Sequence, residues 1–197
     1  KSEILRKELK KIFSSEQITH QDFDIGEFNK IITDSLINLG ERDRVYQIVK
    51  TFDTEENSKY SSFYKKYELN YLFSIYNLNE ACEYRNELKE SPLKSEDNFF
   101  IKVDIFCLVL DDKFDEANLL NSLLKEMETG EDKYFQYLLD ALINSENVKK
   151  ISNEFEILDN VFLYGAMHRI ADLPLTSKFL NIDPINLALP IVLSSNT

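Results

Sequence analysis

The chain has 197 residues, of which 43% are apolar and 12% aromatic, enough to bury a core without help from a metal or a disulfide. Its formal net charge is −12, and residues 1–12 carry five Lys or Arg against two Glu, so the remainder carries 18 − 33 = −15. A body this acidic repels phosphate backbones, and we therefore expect no nucleic-acid partner.

Cys82 and Cys107 have no CxxC spacing and no histidine nearby in the sequence. The pattern indicates neither a zinc site nor a redox motif, so we expect both to be small apolar packing residues. No run of about 18 apolar residues occurs, so no membrane span is expected. The chain starts at Lys1 without Met, which indicates a piece of a longer protein. It is expected to be soluble, either cytoplasmic or, if a signal peptide precedes Lys1, periplasmic or secreted.

Helical periodicity recurs along the chain, whereas no segment sustains the alternation that is typical of strands. Apolar side chains at i, i+3, i+4 and i+7 define stripes that begin at Phe28, Leu69, Leu120 and Phe135. The first stripe ends at Gly40, which predicts a left-handed cap. The sequence therefore predicts an all-α fold.

The helical elements repeat with a step of about 36 residues. Glu80-Ala81 and Glu116-Ala117 are 36 apart, and Val45 precedes Ala81 by the same number. These pairs predict helical hairpins; their ranges are 24–52, 58–90, 95–127 and 131–150. A single hairpin cannot bury its apolar faces, but stacked neighbours can share a core. The alternative is a non-repetitive bundle in which the spacing arises by chance.

After residue 150 the pattern changes. Leu158, Phe162, Ala166 and Ile170 predict one more helix, and Asp183-Pro184 is typical of a helix start. We therefore expect a repeat array over residues 1–150, with a basic amino-terminal helix. Non-repeat helices over 151–197 are expected to pack on the array or extend it, within one continuous domain. The apolar carboxy-terminal helix must be covered by this domain, by a continuation of the chain or by a partner.

The hairpin unit resembles a tetratricopeptide repeat, in which helical hairpins stack into a right-handed superhelix. Leu78-Asn79-Glu80-Ala81 and Phe114-Asp115-Glu116-Ala117 are similar to the start of that family's second helix. The resemblance is closest over residues 58–127 and weaker over 24–52 and 131–150. A generic solenoid of helical hairpins remains the alternative.

The resemblance implies a concave groove, lined by the first helix of each pair, that binds a protein or peptide. Carried over to this sequence, the groove positions are Phe63, Lys66, Asn70, Phe73, Phe99, Lys102, Phe106 and Val109. Lys66 and Asn70 are similar to half of the family's clamp for a terminal carboxylate, but the following units lack the other half. Aromatic side chains on a groove would suit an amphipathic helix or an extended apolar peptide. The competing interpretation is that the aromatic residues are core.

No catalytic signature is present. The chain has no GxxxxGK[ST], GxGxxG, GxSxG or HExxH motif, and its histidines, His20 and His168, are isolated in the sequence. We expect no metal, no cofactor and no enzyme activity. The main hypothesis is a non-catalytic scaffold or adaptor for protein interactions. The alternatives are a structural domain of a larger protein and a helical enzyme of an unfamiliar type.

Overall fold

The structure, a computed structural model, describes residues 3–13, 24–52, 58–90, 97–127, 132–144 and 160–173. These residues form nine α-helices and no strand, which confirms the predicted all-α class. The helices are α1 (Glu3–Phe13), α2 (Ile25–Asn38), α3 (Arg42–Val49), α4 (Ser61–Ser74), α5 (Leu78–Glu90), α6 (Asn98–Leu110), α7 (Phe114–Met127), α8 (Lys133–Ile143) and α9 (Val161–Ile170). The predicted helix around Asp183-Pro184 lies outside the described residues.

The helix starts follow the step seen in the sequence. The first helices of successive pairs, α2, α4, α6 and α8, start at residues 25, 61, 98 and 133. The second helices, α3, α5 and α7, start at residues 42, 78 and 114. The three hairpins α2–α3, α4–α5 and α6–α7 thus keep a spacing of about 36 residues. The second helix of the fourth predicted hairpin, 131–150, falls largely outside the described residues.

The hairpin turns share one backbone geometry. Gly40, Tyr76 and Asp112, again 36 residues apart, have positive φ angles of 78°, 63° and 59°. The N–H of the residue after each of them donates to a carbonyl five residues earlier, at 2.9–3.0 Å, as in Glu41 to Leu36. This left-handed closure satisfies carbonyl groups that the helix end leaves unpaired. The predicted cap at Gly40 is confirmed.

Aspartate side chains cap the amino-terminal ends of α2, α6 and α8, which are first helices of their hairpins. Asp24, Asp97 and Asp132 accept hydrogen bonds from the backbone N–H of Glu27, Phe99 and Phe135 at 2.9–3.1 Å. An N-cap aspartate satisfies a free N–H and interacts favourably with the positive end of the helix dipole. These caps fix where α2, α6 and α8 begin.

The chain divides into two compact units, residues 1–71 and 72–197. The division falls within α4, whereas the sequence placed its change of organisation at residue 150. In the first unit, Leu36, Val45, Val49 and Tyr64 form a core on which partly buried apolar side chains of α2, α3 and α4 pack. In the second unit, α9 packs against α8.

Helix α6 is the central element of the second unit and contacts α5, α7 and α8. Its sequence, NFFIKVDIFCLVL, is apolar on every face, which is typical of a helix surrounded by others. Eight of its thirteen residues are buried: Phe99, Phe100, Lys102, Val103, Asp104, Ile105, Phe106 and Val109. Ala81 and Ala117, the small residues in the first turns of α5 and α7, are also fully buried.

Cys82 and Cys107 form a disulfide between α5 and α6, with their Cα atoms 5.7 Å apart. This corrects the expectation that both cysteines are packing residues. Little in the sequence indicates this bond, because the partners lie 25 residues apart on different hairpins. The 36-residue step is the one sequence signal that relates them. It puts Cys82, next to Ala81, in the second helix of one hairpin and Cys107 in the first helix of the next hairpin.

Candidate functional site

Among the described residues of the second unit, the most exposed apolar side chains lie on α7. Ala117, Asn121 and Leu124 face the core at spacings of four and three, so the residues between them point outward. Leu119, Leu123 and Met127 follow one another at intervals of four residues and are 66%, 47% and 56% exposed. We call these three residues the α7 stripe. Phe114, at the start of the same helix, is 37% exposed.

Acidic side chains border the α7 stripe. On a helix, Asp115 continues the row of the stripe one turn before Leu119, and Glu116 and Glu126 lie on its two sides. All three acids are exposed. Residues 111–127 carry five Asp or Glu against two Lys. The stripe is therefore an apolar strip within a negatively charged surface.

The opposite side of α7 lines a polar cleft toward α8, with a volume of about 440 Å³. At its base, the side-chain amides of Asn121 and Gln136 donate to each other at 2.8 Å in both directions. Lys125, Leu139 and Asp140 also line it. The amide pair satisfies two polar groups at the helix contact and joins α7 to α8.

The residues predicted for the groove in the second unit are core residues. Less than a tenth of the surface of each is exposed: Phe73, Phe99, Lys102, Phe106 and Val109. The rings of Phe73 and Phe106 pack edge to face, with centroids 5.9 Å apart. A partner could reach these side chains only by displacing helices. The sequence could not separate groove from core because both require apolar residues at the same spacing.

The predicted groove residues of the first unit have mixed surroundings. Phe63 is half-buried against the core of that unit, and the ammonium of Lys30 lies 4.0 Å from its ring centroid. Lys66 is half-buried. The side-chain oxygen of Asn70 is buried and accepts no hydrogen bond from a described residue.

Lys102 forms a buried ion pair with Asp132. Its ammonium lies 2.9 Å from Oδ2 of Asp132, and both side chains are 6% exposed. The hydroxyl of Tyr164 donates to the same carboxylate oxygen. Asn160 donates in turn to the Tyr164 hydroxyl at 3.3 Å. This network joins α6, α8 and α9, so it fixes how three helices of the second unit meet.

The pKa of Asp132 reflects two opposing effects. Burial alone would raise the pKa of this carboxyl, because it disfavours the charged form. Hydrogen bonds from Tyr164, from the backbone N–H of Phe135 and from Lys102 favour the carboxylate, and they hold its pKa below the usual value of 3.8. Asp132 is therefore an anion at neutral pH.

His168 lies beside this network and is fully buried. Its Nε2 is 2.6 Å from the hydroxyl of Tyr134, and Nδ1 is 3.4 Å from the carbonyl oxygen of Leu173. Burial raises the pKa of Tyr134. Histidine, tyrosine and carboxylate side chains thus lie close together among the helices, and none of them lines the polar cleft beside α7. The arrangement joins α8 and α9.

The sequence pattern places Leu120, Leu123, Leu124 and Met127 on one apolar stripe and does not separate the α7 stripe from it. Of these, Leu124 is fully buried and Leu123 is 47% exposed. The sequence does contain a sign of this exposed row. Two adjacent leucine pairs, 119–120 and 123–124, spread over more of the helix circumference than one neighbouring helix can cover.

None of the described helices combines the length and the apolar character needed to cross a membrane. Comparison of the chain with protein-family models, curated proteins and solved structures finds no match.

Proposed function

We propose that this protein is a non-catalytic protein-binding module and that the α7 stripe is its contact surface. The observation that carries the proposal is the exposure of Leu119, Leu123 and Met127 in one row on a well-packed helix. An apolar row that remains exposed while the same helix buries Ala117 and Leu124 indicates contact with another molecule. The row provides anchors at the spacing with which one helix packs against another.

The partner that fits this surface is an amphipathic helix with basic residues beside its apolar face. Its apolar side chains would cover the α7 stripe, and its Lys or Arg side chains would lie near Asp115, Glu116 and Glu126. Asp115 and Glu126 make no ion pair with another described residue, so they can pair across an interface without first breaking one. Charge complementarity of this kind speeds association and selects partners more than it adds affinity.

The same proposal includes a tetratricopeptide-like stacking of the helical hairpins. The 36-residue spacing of helices and the shared turn geometry support stacked hairpins. The burial of Phe99 and Phe106 argues for a partner on the outer surface of a second helix, α7, instead of a groove along the first helices.

We also propose that the protein works in an oxidising compartment, outside the reducing cytosol. The Cys82–Cys107 disulfide supports this, because such bonds persist in secreted, periplasmic and similar proteins and are rare where glutathione keeps thiols reduced.

The proposal is tested with a synthetic peptide of leucine and lysine, about as long as the 14-residue α7, that forms an amphipathic helix. Its affinity for the full chain is measured by isothermal titration calorimetry. We expect Leu119→Ser with Leu123→Ser to weaken binding by about tenfold or more, because two anchors are removed. The matched control is Ile31→Ser, which replaces an isoleucine that is 50% exposed on α2. This control should leave affinity unchanged.

A second peptide, with glutamate in place of each lysine, tests the charge argument and should bind more weakly than the lysine peptide. Equal affinity of the two peptides would contradict the basic partner. Equal loss in the α2 and α7 variants would contradict the α7 stripe. If the free chain is a dimer that Leu119→Ser dissociates, the occupant is a second copy. If deletion of residues 174–197 is required for peptide binding, the occupant is the chain's own apolar end.

A further inference from the structure

Both half-buried cysteines of the disulfide line an open cleft of about 400 Å³ between α5 and α6. Asn79, Asn86 and Leu108 form part of its wall. Thiol–disulfide exchange requires a thiolate of another molecule to reach one sulfur of the bond. An open cleft beside the bond therefore allows exchange in the folded protein.

Five charged groups also face this cleft: Glu83, Lys89, Asp104, Asp111 and Lys113. Lys89 lies 2.9 Å from Asp104, and Lys113 lies 3.0 Å from Asp111. Three carboxylates and two ammonium groups give no excess of positive charge to attract a thiolate. The cleft thus contributes access to the bond, and a small uncharged dithiol can enter it.

We propose that Cys82–Cys107 is a thiol-exchange site at which a dithiol opens the disulfide and frees helix α5 from α6. One thiolate of the dithiol attacks a sulfur of the pair, which forms a mixed disulfide and releases the other cysteine as a thiolate that water protonates. The second thiol of the reagent, as its thiolate, then attacks the mixed disulfide. The products are two cysteine thiols, reduced by two electrons, and the cyclic or bridged disulfide of the oxidised reagent.

Few apolar side chains of helix α5 are buried. Its buried apolar residues are Leu78 and Ala81, both before the disulfide. Beyond Cys82, Arg85 donates to Asp104 at 2.8 Å and to the carbonyl oxygen of Phe100 at 3.3 Å. Lys89 also pairs with Asp104. With the disulfide open, the second half of α5 keeps the ionic contacts to Asp104 and the half-buried side chains of Tyr84 and Leu88, and no described side chain of this half is buried.

Release of α5 would change what α6 exposes. The guanidinium of Arg85 lies 5.1 Å from the ring centroid of Phe100, which is 1% exposed. When α5 departs, this ring and the Asp104 carboxylate face solvent. The state of the disulfide thus determines whether an apolar and acidic surface of α6 is accessible.

The test exposes the oxidised full chain to dithiothreitol without denaturant, followed by thiol alkylation and hydrogen–deuterium exchange read by mass spectrometry. We expect both cysteines to be alkylated while α6, α7 and α8 stay protected. Amides of 78–90 should exchange about tenfold faster than in the oxidised chain. The variant Cys82→Ser with Cys107→Ser should show the fast α5 exchange with or without the reagent, and Asp104→Asn should speed it further in the reduced chain.

Two results would overturn the proposal. One is that the thiols become available to alkylation only in denaturant; the other is that exchange of α5 is the same in the oxidised and reduced chains. If the double serine variant does not fold, reduction of the native chain and its reoxidation after removal of the reagent decide the question alone.

Discussion

Asp132 illustrates how one buried side chain can serve three purposes. It caps α8 through the N–H of Phe135, and it neutralises Lys102 of α6. It also accepts a hydrogen bond from Tyr164 of α9. A buried charge without such partners would be strongly unfavourable, so each contact depends on the others.

Replacement of Asp132 by Asn should destabilise the protein by about 3 kcal/mol, because it leaves the Lys102 ammonium buried without a counter-charge. Chemical denaturation at pH 7 measures this change. Lys102→Met combined with Asp132→Asn should be less destabilised than Asp132→Asn alone, because no unpaired charge remains. If the double variant loses as much free energy of unfolding as Lys102→Met and Asp132→Asn lose separately when added, the two residues are not a coupled pair.

The depressed pKa of Asp132 makes stability depend on pH in acid. The unfolded state binds the proton at a higher pH than the folded state, so this group contributes stability above about pH 4 and loses it as the pH falls through the lower folded value. We expect the free energy of unfolding of the native chain to fall below pH 4 more steeply than that of Asp132→Asn. Parallel profiles from denaturation at several pH values would contradict this.

Asp112 has a left-handed backbone, with φ of 59°, which costs a residue with a Cβ atom more than it costs glycine. Its counterpart in the first hairpin is Gly40. Asp112→Gly should therefore stabilise the protein by about 0.5 kcal/mol, after allowance for the freer unfolded chain. Asp111→Gly, at an ordinary φ of −88°, is the control and should destabilise it. Thermal denaturation of both variants provides the comparison, and a loss of stability in both would refute the argument.

At the scale of single residues, the sequence predicts some features and not others. The Gly40 cap was predictable because glycine next to a helical stripe indicates it locally. Lys102 within an apolar helix indicates a buried partner, but Asp132 lies 30 residues away and no local pattern names it. The same applies to Cys82 and Cys107.

At the scale of elements, α5 and α7 differ in how they are held. Helix α7 buries Ala117, Asn121 and Leu124 along its length, whereas α5 buries apolar residues only near its start and is joined to α6 by the disulfide. A helix with many buried contacts can offer its outer face to a partner without coming loose. Helix α7 therefore suits a binding surface, and α5 suits a movable element.

Loss of the disulfide should also lower the overall free energy of unfolding. The bond closes a loop between residues 25 apart, and the chain-entropy model gives a stabilisation of about 3 to 4 kcal/mol for a loop of this length. Denaturation of the oxidised and reduced chains, with Cys82→Ser and Cys107→Ser as the permanently open form, measures the difference. Oxidised and reduced chains of equal stability would contradict the expectation.

For the whole molecule, the sequence predicts those features that depend on local periodicity. The helix class and the 36-residue step follow from patterns within each hairpin, and the helix starts at 25, 61, 98 and 133 reproduce them. The division at residue 71 within α4 was not predictable, because continuous helical periodicity runs through that point. The exposed face of α7 was ambiguous for the same reason, since periodicity places residues on a face and does not say what covers it.

Methyl NMR of the full chain reports residue by residue whether the α7 stripe binds a basic amphipathic helix. On titration with the leucine and lysine peptide, the methyl signals of Leu119, Leu123 and Met127 should shift and saturate together, while that of Ile31 should stay in place. Methyl signals of the α7 stripe that do not move at saturating peptide, or that move no more than Ile31, would show that the peptide does not bind there.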